Sequence, residues 1–154
     1  MKNINGMFPN LSRAYEVALM CDQKINLIGF EYDNFENDFG LITNEFKGGI
    51  FSEAGKIHIS LPKPNFDHIF SSKQCETVSD VELRVKTAKN NSKPNEQLND
   101  SCMQLLKTAY ERLSLNISDV KSIIHRASGI AQMENCAKIE TQHIAESIQY
   151  SKIY

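Results

Sequence analysis

The residues closest to a recognisable chemical motif follow a short predicted strand near the N-terminus. Apolar side chains recur at helical spacing through residues 11–19, and the apolar run from Ile25 to Ile28 is typical of a strand. Gly29 follows at the end of this strand, where a phosphate-binding loop of the pattern G-x-x-x-x-G-K-[ST] would begin. The helix and strand that precede a phosphate-binding loop are therefore predicted here.

The loop after Gly29 lacks the side chains that bind a polyphosphate. The second glycine of the pattern falls on Asn34, the lysine on Phe35 and the Mg²⁺-binding hydroxyl on Glu36. Residues 31–38 also carry carboxylates, each of which would repel a phosphate at ~4 Å by roughly 1 to 4 kcal/mol. We therefore expect no nucleotide cofactor at these positions, no catalytic residue and no enzymatic activity.

Composition excludes several classes of function. The 154 residues have 41% apolar and 23% charged content, which is typical of a globular protein, and a net charge of −2. No basic stripe is present, so we expect no direct binding of nucleic acid. The first ten residues contain no apolar signal segment, and no apolar run is long enough to span a bilayer. We expect a cytoplasmic protein with no membrane association.

The cysteines and histidines do not indicate a metal site. Cys21, Cys75, Cys102 and Cys136 are far apart, without a C-x-x-C pair, and are expected to be reduced thiols. The four histidines have no metal-ligand spacing and are expected to be structural or exposed; they are His58, His68, His125 and His143.

Strand signals are confined to residues 24–70, where Lys56 to Leu61 alternates polar and apolar side chains before Pro62. From residue 78 onward only helical periodicity appears. Four helices are predicted there, and their N-terminal signals are Ser79 with Glu82, Asn99 or Asp100, Asn116, and Thr141. The stripe predicted for the third helix is Ile117, Val120, Ile124, Ala127 and Ala131, broadened by Ile123 and Ile130 and packed on the preceding helix.

The 46 residues from Leu105 to Tyr150 resemble the helical lid domain of magnesium-chelatase-like AAA+ ATPases. The family pattern aligns without a gap, and its final segment HIAEAIQY matches residues 143–150 almost letter for letter. Other matching positions are Ala109, Glu111, Arg112, Leu113, Leu115, Ile123, Ala127, Ile130, Ala131 and Ile139. Several of these are polar positions that helix formation alone does not dictate.

Two further segments are similar to the ATPase core of the same family. Residues 56–70 look like the strand that ends the core, and residues 11–36 look like the segment that leads into its phosphate-binding loop. Residues 40–56 leave room only for a short connection in place of the acid pair, sensor and arginine finger. This stretch can be matched either to the end of the family's ATPase core or to an earlier segment of that core, and the sequence does not decide between the two. The sensor-2 arginine of the lid falls on Ser128, and Arg126 lies roughly 200° away around a helix.

The resemblance implies an α+β fold, with a small α/β remnant of an AAA+ core before a four-helix lid-type bundle. The implied domains are residues 1–71, a degenerate core, and residues 72–154, the helical domain. The leading hypothesis is a non-catalytic relative acting through protein contacts, or a remnant, that associates with itself or with an intact AAA+ paralogue. One alternative is weak binding of ATP or ADP with Mg²⁺. Another is a small helical interaction protein unrelated to these ATPases.

The residues predicted to make such contacts lie at the C-terminal end of the chain. After the fourth helix is placed, Tyr150, Ile153 and Tyr154 remain as apolar side chains without a core position. They are the predicted contact residues.

The substituted loop predicts the absence of ATP hydrolysis. Phosphate release from Mg·ATP should stay at the buffer rate, and calorimetry should give no dissociation constant below about 1 mM, a free energy near −4 kcal/mol. A micromolar, Mg²⁺-dependent site would contradict the prediction.

Overall fold

The computed structural model describes residues 9–29, 56–61 and 78–151. In chain order these residues form α1 (Pro9–Cys21), β1 (Lys24–Gly29), β2 (Lys56–Leu61), α2 (Val78–Ala88), α3 (Asp100–Arg112), α4 (Ile117–Met133) and α5 (Thr141–Gln149). The predicted helical C-terminal half is confirmed, as are the two strands. Within the described ranges, every helix is too short or too polar to cross a membrane.

The two strands lie side by side and are parallel. The register pairs Lys24 with Lys56 and continues without a bulge to Gly29 and Leu61. Ile57 and Ile59 are buried on the same face of β2, as period-2 alternation requires. The backbone N–H of His58 donates to the carbonyl of Tyr150 at 2.9 Å, which joins β2 to the end of α5.

Two of the predicted N-caps are confirmed. The Asn99 side chain accepts from the N–H of Cys102 at 2.8 Å, and Asn116 forms a reciprocal capping box with Asp119. The other two predicted N-caps are wrong, because the residues named lie inside their helices. Ser79 is the second residue of α2, which begins at Val78, and so cannot cap it. The N-cap of α5 is Glu140, with Thr141 as the first helical residue.

Three helices end in the same way, with a non-glycine residue in the left-handed region. Asp22, Ser114 and Asn135 have φ values of 51°, 50° and 55°. In each case the next N–H donates to a carbonyl five residues back, at 2.9 to 3.2 Å, which is the outer hydrogen bond of a Schellman motif. Aspartate and asparagine tolerate this conformation better than other non-glycine residues, so two of the three ends have suitable side chains.

The buried side chains form two clusters that share helix α4. The first lies where α1 meets the strands, α2 and α4; it contains Ala14, Tyr15, Val17, Ala18, Met20, Cys21, Ile25, Ile57, Ile59, Val81, Val85 and Ile130. The second lies among α3, α4 and α5; it contains Cys102, Leu106, Ala109, Leu115, Ile123, Ala127, Ala131, Ile139 and Ile144. Helix α4 is therefore covered on more than one side.

The stripe predicted for α4 is partly wrong. Ile117 is 71% exposed, and Val120 and Ile124 are only half-buried, whereas Ile123 and Ile130 are fully buried. The prediction assumed the preceding helix as the main partner, but α4 packs chiefly on α5 and α1. Ala127 and Ala131 are buried as predicted, so the buried face is displaced toward the side of Ile123 and Ile130 and is not replaced by another face.

The corrected orientation predicts the effect of placing a charge on α4. Ile123→Asp should lower the free energy of unfolding by about 3 kcal/mol or more, because the carboxylate would be buried without a partner. Ile117→Asp is the matched control, and its exposed position predicts a change within about 0.5 kcal/mol. Urea denaturation followed by circular dichroism measures both, and equal losses would contradict the orientation.

Candidate functional site

Ser128, which the resemblance predicts to be the sensor-2 position, lines a cleft of about 560 Å³. The cleft lies where the end of α1 approaches α4 and the connector that follows α2. Its charged and titratable lining groups are Asp22, Lys89, Lys93, Glu96, Cys21 and His125. Two lysines beside a hydroxyl make this the described site closest in composition to a phosphate site.

Several polar groups of the cleft are bound to other groups of the protein. The Ser128 hydroxyl donates to Glu96 Oε1 at 3.3 Å, and the ammonium of Lys89 lies 3.5 Å from Asp22 Oδ1. His125 Nε2 lies 3.2 Å from the carbonyl of Cys21. The Lys89 ammonium and the Ser128 hydroxyl therefore already have acceptors from the protein.

The backbone around the cleft also disfavours an anion. Helix α1 ends at Cys21 and helix α2 at Ala88, and both residues lie at or directly beside the cleft lining. The last carbonyls of a helix carry partial negative charge and attract cations, which Lys89 supplies at the end of α2. A phosphate group here would meet two helix C-termini and two carboxylates. The arrangement differs from an anion site, in which a helix N-terminus points at the ligand.

Arg126, two residues from the predicted sensor-2 position, is not among the residues that line the cleft. It is 2% exposed, and its guanidinium donates to the hydroxyls of Ser147 and Ser151 at 3.2 and 2.9 Å and to the Ser147 carbonyl at 3.3 Å. A longer bond of 3.4 Å reaches the side chain of Gln23. Burial lowers the pKa of Arg126 to about 10, against the opposing effect of the neighbouring Cys21. Arg126 is thus used to connect α4 with the end of α5.

Helix α1 is tied to the C-terminal helices by a network of ion pairs centred on Arg13. Its guanidinium binds Glu146 at 2.7 and 3.1 Å, Glu134 at 3.0 Å and Glu16 at 3.1 Å. Arg84 of α2 binds the other oxygen of Glu16 at 2.7 Å. Burial alone would lower the pKa of Arg13, but the bonds and charges of Glu146 and Glu16 outweigh it and raise the pKa. The network connects three helices to α1.

Tyr150 has a role inside this network, which differs from the contact role predicted for it. The side chain is half-buried against the first cluster, and its hydroxyl donates to Glu146 Oε1 at 3.1 Å. Burial, with the Glu146 carboxylate beside it, raises the pKa of the phenol. Ile153 and Tyr154 lie outside the described residues.

The structure brings Glu134, Cys136 and His143 together, with ligand-type atoms within 4.8 Å of one another. The N–H of Glu140 donates to His143 Nδ1 at 2.9 Å, so the proton of the neutral ring is assigned to Nε2, which lies 3.0 Å from Glu134 Oε2. A histidine that binds a metal through one nitrogen normally donates from the other, and here the other nitrogen accepts. The geometry therefore fits a helix-capping hydrogen-bond chain better than a metal centre, and the expectation of no metal site stays a prediction.

A second surface feature, an apolar groove of about 320 Å³, was not predicted from the sequence. It lies between α3 and the first turn of α4, and its lining residues are Met103, Leu106, Lys107, Tyr110, Ile117 and Val120. Met103, Tyr110 and Ile117 are 53%, 47% and 71% exposed. The signal in the sequence was the spacing of Met103, Leu106 and Tyr110, which gives α3 a second apolar face.

The predicted loop positions can be placed only in part. Gly29 is the last residue of β1, as predicted. Asn34, Phe35 and Glu36 lie outside the described residues, as do Cys75 and His68. The other three cysteines are free thiols.

Comparison with known proteins gives one match. The model of the family described as magnesium chelatase, subunit ChlI C-terminal, matches residues 74–151, which is half of the chain. The matched range contains α2 to α5, the cleft position Ser128 and both lining helices of the groove. No curated protein and no solved structure matches the chain.

The close approach of α1 to α4 predicts an unusual response to a glycine substitution. A Cβ at Gly129 would lie 2.5 Å from Cys21 Sγ, and Cys21 is 6% exposed. Gly129→Ala should therefore destabilise the fold by about 1 to 3 kcal/mol, although alanine is favoured over glycine in a helix by about 1 kcal/mol.

The double variant Cys21→Ala with Gly129→Ala is the control. Removing the sulfur relieves the clash, so the two changes together should cost at least about 1 kcal/mol less than their sum. Thermal and urea denaturation of all four proteins give the coupling. A Gly129→Ala protein more stable than the parent would contradict the contact.

Proposed function

This chain belongs to the family described by the magnesium chelatase subunit ChlI C-terminal domain, and from that premise we propose that it is a non-catalytic member acting through protein contacts. The observation that carries the proposal is the state of Ser128. Its hydroxyl is bound to Glu96, in a cleft whose backbone presents helix C-termini. The family match removes the alternative of a helical protein unrelated to the family.

The burial of Arg126 supports the same proposal. A guanidinium that contacted a phosphate would need donors facing the cleft, and Arg126 directs three of its contacts to Ser147 and Ser151. Moving it would leave these hydroxyls and a carbonyl without their donor, at a cost of about 1 to 3 kcal/mol for each buried group left unsatisfied. The sequence supports the proposal too, because Phe35 and Glu36 stand where a phosphate-binding loop has its lysine and its Mg²⁺-binding hydroxyl.

The N-terminal part is proposed to be the remnant of an AAA+ core. Helix α1 followed by the parallel pair β1 and β2 has the order expected for the beginning and the end of such a core. We propose residues 1–71 as this remnant and residues 72–154 as the lid domain, in a cytoplasmic protein. The partner is proposed to be another copy or an intact AAA+ paralogue.

One observation favours a second candidate, weak binding of ATP or ADP. Lys89 and Lys93 are exposed beside the cleft, and flexible lysine side chains can turn toward an anion. Lys89 would have to leave Asp22 to do so. This alternative differs from the leading proposal in needing positive charge at the cleft.

Titration with Mg·ATP separates the two candidates. The non-catalytic proposal predicts that the parent and the variant Lys89→Glu with Lys93→Glu give the same heats up to about millimolar ligand. A matched control is Lys86→Glu with Lys107→Glu, which changes the net charge equally away from the cleft lining. Binding by the parent and the control that is lost in the cleft variant would favour the nucleotide-binding alternative.

A further inference from the structure

Three of the four large, exposed hydrophobic side chains among the described residues line one groove. They are Met103, Tyr110 and Ile117; the fourth, Leu83, lies on α2. Apolar side chains scattered singly over a surface are ordinary, but a rimmed apolar concavity is typical of an interaction site. The groove is formed by α3 and the first turn of α4, while α1 packs against the other half of α4 near Gly129.

The dimensions of the groove favour an elongated occupant. Met103 and Tyr110 are seven residues apart on α3, which at 1.5 Å per residue gives an apolar row about 10 Å long. A row of this length accommodates side chains from two turns of an opposing helix. Methionine at one end is unbranched and flexible, so it can adjust to the shape of an incoming side chain.

The charged side chain that lines the groove indicates which charge the occupant should carry. Among its described lining residues Lys107 is the only charged one, and none is acidic. An occupant that covered the apolar row would take water away from the Lys107 ammonium, and burying that charge without a counter-ion is costly. A carboxylate on the occupant, next to its apolar side chains, would compensate the charge.

We propose that this groove binds an amphipathic α-helix of a partner protein that carries apolar anchors at i, i+3 or i+4, and i+7, with a carboxylate facing Lys107. The inference rests on the proposed function, since it gives the chemistry of the partner for a member that acts through protein contacts. The helix-in-groove mode supplies affinity through the apolar anchors. The pairing with Lys107 supplies the choice of partner.

Two synthetic peptides of about 15 residues test the proposal. Both carry the same leucine and phenylalanine stripe, flanked by glutamate in one peptide and by lysine in the other. Fluorescence anisotropy with the full chain should show the glutamate peptide binding at least about tenfold more tightly. Lys107→Glu should reverse the order of the two peptides.

Ile117→Asp and Leu83→Asp form the matched pair for the apolar row. Both residues are exposed, at 71% and 66%, so both variants should keep the helical circular dichroism of the parent. Ile117→Asp should weaken the glutamate peptide at least about tenfold, and Leu83→Asp should leave it unchanged.

Several results would overturn the proposal. These are no binding of either peptide at millimolar concentration, equal binding of both, an order unchanged by Lys107→Glu, or equal effects of the two aspartate variants. If light scattering shows a dimer that Ile117→Asp dissociates, the groove binds a second copy of this chain instead of a partner helix. None of these results bears on the Mg·ATP titration, so the proposed function can stand while this inference fails.

Discussion

The structure depends on the contact between α1 and α4. The two helices approach so closely that the sulfur of Cys21 occupies the space of a side chain at position 129, and Gly129 leaves that space open. Arg13 then fixes the orientation of α1 by binding two carboxylates, Glu134 at the C-terminal end of α4 and Glu146 within α5. Because α4 is covered by α1 on one side, its buried face, the cleft and the free groove are all positioned by this contact.

The same contact explains how much the sequence could predict. Local signals were sufficient for the strands and for the caps at Asn99 and Asn116, because a cap needs only neighbours a few residues away. The rotation of α4 was not predictable from its own stripe, since Ile123 and Ile124 are equally apolar and only the tertiary partners choose between them. The ring of carboxylates around Arg13 joins residues more than 100 positions apart, which no spacing rule connects.

The candidate site shows the same division. The resemblance predicts that Ser128 lies where a nucleotide-contacting arginine is expected, and the helix period predicts that Arg126 faces elsewhere. The reason why the cleft is a poor anion site required coordinates, because it depends on Glu96 and on two helix ends that meet there. The groove was missed because Met103 and Tyr110 lie on the solvent side of a helix whose core stripe was already complete. The proposed loss of the nucleotide contact and the open apolar groove are together the basis for proposing that this domain binds a protein.

The Ser128 hydroxyl and the Lys89 ammonium are bound to Glu96 and Asp22, and we infer from this that the cleft does not bind a nucleotide phosphate. The most direct measurement is the amide ¹H–¹⁵N NMR spectrum of the labelled full chain during addition of Mg·ATP. We expect the amide chemical shifts of Ser128, Gly129 and Gln132, which line the cleft, to stay unchanged up to millimolar Mg·ATP. Saturable shifts that cluster at these three amides would contradict it.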